Sequence, residues 1–209
     1  MNFAGVRTWR LAWVCRGSHI SEIYAKNDAD FLARFPTAQP LATMGEDEAW
    51  NGTCKEWLID EGYCCAGGVA AMADCVFYGA AAMEGEDKWA SVFKDPRTEK
   101  ITISDDETQD VQVDETNILW EIITNGVKGK YPSGVWFAGK KYTLVREQVL
   151  EVEGKEVTVR FASRPKGGVC IACSEQSVVL GFNDEEKGQK GGNAQKAVLN
   201  MVGYLFQNE

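Results

Sequence analysis

Histidine is almost missing from this chain of 209 residues; the single one is His19. Imidazole is the usual general base near neutral pH and the commonest metal ligand, so most hydrolase and metalloenzyme readings start at a disadvantage. Cations are outnumbered too, 22 Lys and Arg against 31 Asp and Glu, for a net charge of −9. A nonspecific nucleic-acid binder needs a cationic footprint, which this balance does not provide. No stretch reaches the roughly 18–20 uncharged apolar residues of a membrane helix. Internal repeats and low-complexity tracts are absent. Seven cysteines, an odd number, suit a reducing cytosol better than a disulfide framework.

What is present is unevenly spread. Residues 1–43 carry Arg7, Arg10, Arg16, Lys26 and Arg34 against Glu22, Asp28 and Asp30, a net of +2. The other 166 residues hold 17 basic and 28 acidic side chains, a net of −11. Met44 opens that second part, followed by Gly45-Glu46-Asp47-Glu48, and reads as a start of its own. The leading segment is Arg-bearing and poor in acids early on, as transit peptides are, while its arginines interrupt any secretory apolar core. The expectation is a leader over 1–43 outside the fold and one domain over 44–209.

Within that domain, residues 47–61 read as a helix, with Trp50, Cys54, Trp57 and Leu58 on one face and Gly62 as its stop. Small apolar residues over 64–82 suggest two buried strands joined at Met72-Ala73-Asp74. A short helix is expected around Lys88–Phe93, then an acidic hairpin over 100–113 and a helix over 115–124. From Gly134 the pattern is β: 135–137, 142–146, 149–152, 156–162, 169–173 and 177–182. Short turns between these runs make neighbours antiparallel. A helix after Gly191-Gly192, on Ala197, Val198, Met201, Val202 and Leu205, closes the chain. Helices at both ends with a meander between them give an α+β class rather than alternating βαβ.

Several motifs tempt and fail. Gly134-Val-Trp-Phe-Ala-Gly-Lys140 has the spacing of a phosphate loop, but Lys141 stands where Ser or Thr must hold magnesium, and the interior is strand-like. Cys170-Ile-Ala-Cys173 has redox or zinc spacing, yet positions i and i+3 on a strand point to opposite faces. A nucleophilic cysteine lacks a partner base, since His19 lies in the leader. The Asn51-Gly52-Thr53 sequon opens a helix without a secretory signal. The acidic hairpin tip reads as a solvated loop rather than a metal site. No catalytic residue, metal ligand or cofactor is expected.

The aromatics form a more coherent set. Trp50 and Trp57 share a helix face, Tyr204 lies on the last helix and Trp89 between them. Rings in a shallow exposed groove suit polyproline, a rigid helix that docks between flat aromatics at little entropic cost. The plainer alternative is that they are ordinary core residues.

Five stretches together resemble a known family: Trp50-Asn-Gly-Thr-Cys-Lys-Glu-Trp57-Leu58, Asp87-Lys-Trp89-Ala90-Ser91, Ser133-Gly-Val-Trp-Phe-Ala-Gly-Lys-Lys-Tyr142, Arg164-Pro-Lys-Gly-Gly168 and Gly203-Tyr204-Leu205. In order and spacing they look like the landmarks of profilins. Tyr63-Cys-Cys-Ala-Gly-Gly68, Asn183-Asp-Glu-Glu-Lys187 and the acidic hairpin look like the apicomplexan-parasite branch. The resemblance implies a central antiparallel sheet of about seven strands, the terminal helices on one face, shorter helices on the other, and an acidic hairpin arm.

It also implies two binding surfaces on a cytoplasmic, cytoskeletal adaptor without catalysis. Trp50, Trp89, Tyr204 and Leu205 fall on the positions that bind proline-rich segments such as those of formins. Lys141, Arg146, Arg164, Lys190, Gly192, Gln195, Lys196 and Asn200 fall on the positions that contact monomeric actin. Cations gathered on one face of a −11 core would complement an acidic partner and steer encounter. Thr53 stands where many members place a groove tyrosine, and the chain ends Gln207-Asn208-Glu209 without the common terminal aromatic. Narrower proline binding is therefore expected. The resemblance implies a second role, as an antigen read by a host toll-like receptor through the acidic hairpin. Phosphoinositide binding, known in the wider family, is disfavoured by the negative core unless a local basic patch supplies it.

Overall fold

The computed structural model describes residues 10–16, 19–25, 48–104, 107–131 and 134–208. Met44, the run 45–47, hairpin-tip residues Asp105 and Asp106, and Ser133 lie outside them. The chain divides into two compact units, Met1–Thr43 and Met44–Glu209. In the first, strands β1 (Arg10–Arg16) and β2 (His19–Ala25) pair antiparallel, from Arg10 opposite Ala25 to Arg16 opposite His19.

The second unit is built on one sheet. Its strands are β3 (Ala66–Ala71), β4 (Phe77–Ala82), β7 (Val135–Phe137), β8 (Lys140–Val152), β9 (Lys155–Arg164), β10 (Gly167–Cys173) and β11 (Ser177–Asp184). They lie in the order β4-β3-β11-β10-β9-β8-β7, every neighbouring pair antiparallel. The expected seven-stranded α+β architecture is what the chain adopts. Strands β5 (Arg97–Ser104) and β6 (Glu107–Val113) form a separate two-stranded arm.

Each tight turn pairs a residue held at positive φ with a glycine that adopts it at no steric cost. Ala138-Gly139 (φ 51° and 73°) joins β7 to β8, and Glu153-Gly154 (φ 50° and 74°) joins β8 to β9. Positive φ at both central residues matches the right-handed twist of hairpin strands. β8 is a single strand of 13 residues, where the sequence pattern suggests two. The apparent break is a register shift between Leu144 and Arg146, a bulge that disturbs the alternation.

Two layers cover the sheet. On one face lie helix α1 (Glu48–Cys54), which runs straight into a π-helical turn over Lys55–Ile59, and the C-terminal helix α3 (Gly191–Asn208). Ala194, Ala197, Val198, Met201, Val202 and Leu205 are the buried stripe of α3. They pack with Cys54 and Leu58 of the first helical segment on Val69, Val159, Cys170 and Val179. On the other face, helix α2 (Glu115–Asn125) buries Ile118, Leu119 and Ile122 against Val135, Phe137, Val169 and Phe182. Asp114 caps α2, its side chain accepting from Asn117 N at 3.0 Å. The short helix expected at Lys88–Phe93 is only hydrogen-bonded turns, Ser91 N to Asp87 O and Phe93 N to Trp89 O. A segment of barely one turn with Pro96 close behind cannot offset the cost of a helix nucleus.

The terminal helices sit close to the sheet because two opposed residues lack side chains. Gly67 of β3 and Gly181 of β11 are cross-strand partners. A Cβ on Gly181 would lie 2.6 Å from Val198 Cγ2 and 3.0 Å from Cys64 Sγ. One on Gly67 would collide with the Leu58 side chain and stand 2.9 Å from the Leu180 carbonyl oxygen. Overpacking of this kind costs about 1–3 kcal/mol. Gly181→Ala is expected to lower Tm by roughly 2–12 °C in a thermal melt. Gly52→Ala, on a helical site with open space around the new Cβ, should leave Tm unchanged or raise it.

Candidate functional site

Six aromatic side chains, Trp50, Trp57, Tyr63, Tyr78, Tyr204 and Phe206, pack half-buried against the core beneath the terminal helices. Trp57 of the π-turn stacks on Tyr204 of α3, ring centroids 5.3 Å apart and planes tilted by 32°. Trp50 meets Tyr78 of β4 edge-on at 5.0 Å. The Tyr78 hydroxyl is 2.8 Å from Ser177 Oγ, which fixes the ring. The rings of both pairs are half-buried. A groove of 250 Å³ opens between the helices, lined by Trp57, Tyr63, Glu56, Glu61, Lys196 and Asn200 among others.

The predicted aromatic set is only partly brought together. Trp50 and Tyr204 lie on this face. Leu205 is 1% exposed and belongs to the core beneath it, so it supports the surface rather than presenting itself to a ligand. Trp89 packs against the core cluster of the opposite face, with Phe77, Val92 and Phe93. Tyr78 is the ring that sequence reasoning missed. Its strand carries a register shift opposite Val69 and Ala70, which hides the alternation that would have turned it toward Trp50.

The predicted cationic set is distributed as follows. Arg146 is exposed, with its guanidinium 4.1 Å from the centroid of its cross-strand partner Phe161. The bulge at Val145 places it there: Leu144 packs with the α2-side core, whereas Phe161 belongs to the helix α1/α3 side. Lys190, Gly192, Lys196 and Asn200 are exposed at and along the first half of α3, and Gln195 is half-buried. Lys196 Nζ lies 5.8 Å from the Tyr63 ring centroid. Lys141 is exposed at the start of β8. Arg164 stands apart from the α3 residues. It lies 3.6 Å from Asp184 and 6.0 Å from the Tyr142 ring, in a cleft of 530 Å³ at the end of the sheet. Burial pushes the Tyr142 phenol up, against the lowering effect of Arg164. Lys187, hydrogen-bonded to Glu86 at the same cleft, is held above the usual lysine range by that bond.

Cysteine chemistry finds no support in the geometry. Cys170 lies in the core under α3, whereas Cys173 packs with the opposite cluster, as the strand alternation requires. Burial pushes the thiols of Cys54, Cys64 and Cys75 up to about 12 and that of Cys173 up to about 11. Cys65 and Cys170 are raised by the same cause. Among the described residues, no group of three or more His, Cys, Asp or Glu could hold a metal ion. No helix among them is long and apolar enough to cross a membrane. Titration of the native chain with a thiol reagent is expected to show all six of these cysteines protonated at pH 7. A thiolate forming below pH 7 at Cys170 or Cys173 would contradict this.

The profilin family model matches residues 48–209. Among solved structures, Acanthamoeba castellanii profilin IB is 13% identical with a TM-score of 0.49, the alignment covering 76% of this chain and 98% of that one. Rat profilin 2a is 16% identical with a TM-score of 0.48, covering 78% and 99%. Mouse profilin IIa in complex with a double repeat from the FH1 domain of mDia1 is 14% identical with a TM-score of 0.42, covering 77% and 98%. No match was found among curated proteins. With the family model spanning the whole sheet and both terminal helices, this chain belongs to the profilin family.

Proposed function

We propose that the chain is an actin-monomer-binding adaptor that regulates polymerisation and also holds proline-rich segments, such as those of formins. The observation that carries the proline half is the pair of half-buried ring contacts, Trp57 on Tyr204 and Trp50 on Tyr78, on the two terminal helices and the strand beneath. Flat rings fixed by packing give a rigid proline helix a surface to stack on without ordering either partner. Trp57 and Tyr78 join Trp50 and Tyr204 in the proposed proline surface, with Leu205 as its support. Trp89 contributes only where a ligand reaches round to the opposite face.

For actin, the proposed contacts are Lys141, Arg146, Arg164, Lys190, Gly192, Gln195, Lys196 and Asn200. Cations on an otherwise acidic unit orient it toward an acidic partner and raise the encounter rate. Holding actin and a proline-rich segment together would concentrate monomers where that segment is anchored. The workplace that follows is the cytoskeleton. The apicomplexan branch is proposed on Tyr63–Gly68, Asn183–Lys187 and the hairpin arm alone. The arm is also what the toll-like-receptor alternative would need.

The test is a pair of variants in two assays. Arg146→Glu is expected to weaken actin-monomer binding about tenfold and to leave decaproline binding within twofold, because its ring partner Phe161 is not one of the proline-facing aromatics. Trp50→Ala should do the reverse, since removing a ring from a binding surface costs at least about 1 kcal/mol and Trp50 lies outside the groove lined by Lys196 and Asn200. Equal losses of both ligands in both variants would contradict separate surfaces.

A further inference from the structure

Both central amides of the β7–β8 turn donate to one buried carboxylate. Ala138 N–H reaches Glu115 Oε2 at 2.8 Å, and Gly139 N–H reaches Oε1 at 2.9 Å. Oε2 also accepts from the Lys94 amide at 3.0 Å, and Arg97 pairs with Oε1 at 2.8 Å. The Glu115 side chain is 1% exposed; that of Arg97 is 20% exposed and stands at the root of the β5–β6 arm. A buried ion pair is often no more stabilising than apolar residues of the same volume; what it can add is a single geometry.

The turn leads directly into Lys141. That residue is the cross-strand partner of Trp136. Its stem runs over Gly134, where an added Cβ would stand 2.5 Å from Lys141 Cε. The Arg97 guanidinium lies 5.8 Å from the centroid of the Trp136 ring. Arg97 therefore reaches the strand pair that presents Lys141 by two routes, through Glu115 to the turn and through the ring to the partner of Lys141.

We infer that Glu115 and Arg97 are positioning residues for Lys141, fixing the β7–β8 turn so that this cation meets a bound actin monomer in one orientation. Lysine carries its charge on a flexible four-carbon stem, so its contribution to binding depends on how far its freedom is already restricted. Glu115 acts from inside the core and through the backbone, without touching the partner itself. The root of the arm thereby becomes part of the support of the actin surface. The inference rests on the actin reading above.

The test uses the full chain, labelled with ¹⁵N. It measures hydrogen exchange at the Ala138 and Gly139 amides, affinity for monomeric actin and affinity for decaproline. Glu115→Gln keeps the shape but withdraws the charge and one acceptor. Arg97→Met removes the countercharge from a partly exposed site, which covers the case in which Glu115→Gln does not fold. Arg97→Lys keeps the charge. Glu115→Gln and Arg97→Met should each speed exchange at both amides at least about tenfold, weaken actin binding about three- to tenfold and leave decaproline binding within about twofold. Arg97→Lys should recover most of what Arg97→Met loses. In a Lys141→Ala background Arg97→Met should cost no further actin affinity, because the residue being positioned is gone. Faster exchange with unchanged actin affinity, or an undiminished further loss in the Lys141→Ala background, overturns the positioning role and leaves the actin reading standing. Unchanged exchange in both variants does the same. A native chain that does not bind actin overturns the actin reading and this inference with it.

Discussion

The close approach of two helices to one sheet is the constraint on which the rest of this molecule depends. Gly67 and Gly181 face each other across β3 and β11, and where side chains would stand they admit Leu58 and Val198 instead. Because α1 and α3 come from opposite ends of the domain, seating both here brings Trp57 within stacking distance of Tyr204. The proposed proline surface is thus a by-product of core packing. Its rings are held by the same contacts that bury Leu58, Val198 and Met201. Residues that serve fold and ligand together give a rigid surface, which is what a preformed proline helix rewards.

The opposite face is organised by a charge. Glu115 opens α2 with its side chain 1% exposed, and it accepts from the backbone amides of Lys94, Ala138 and Gly139 at 2.8–3.0 Å. Arg97, at the base of the β5–β6 arm, pairs with it at 2.8 Å. One carboxylate therefore ties together the loop after Trp89, the β7–β8 turn, the first turn of α2 and the root of the arm. A buried charge with this many donors is satisfied, and removing Arg97 would leave it without its countercharge. Nothing in the local sequence around Glu115 distinguishes it from an ordinary N-terminal helix glutamate, because its partners are 18 to 24 residues away.

Much of the architecture was legible from period and punctuation. The α3 stripe, the strands from β9 onward, the glycine turns and the two-helix frame follow from spacing and turn chemistry. What escaped was whatever depended on a local break in period. The bulge at Val145 turned one long strand into two apparent ones and re-aimed Arg146. The shift between β3 and β4 hid Tyr78. Burial was also invisible to motif matching. Leu205 matched a groove position yet lies in the core, and Trp89 matched one yet packs with the other face. Asn51 read as part of an accidental sequon, whereas its carboxamide caps an edge strand.

An adaptor is defined by holding two partners at once, and both proposed surfaces draw on α3. Lys196 and Asn200 even line the same groove as Trp57, so independence of the two sites is a demanding claim for this geometry. The most direct measurement is sedimentation velocity on the full chain with monomeric actin and a fluorescent proline-rich peptide. A complex carrying all three components in equal amounts is the predicted result. Displacement of the peptide by actin, or no association with actin at all, would contradict the adaptor account.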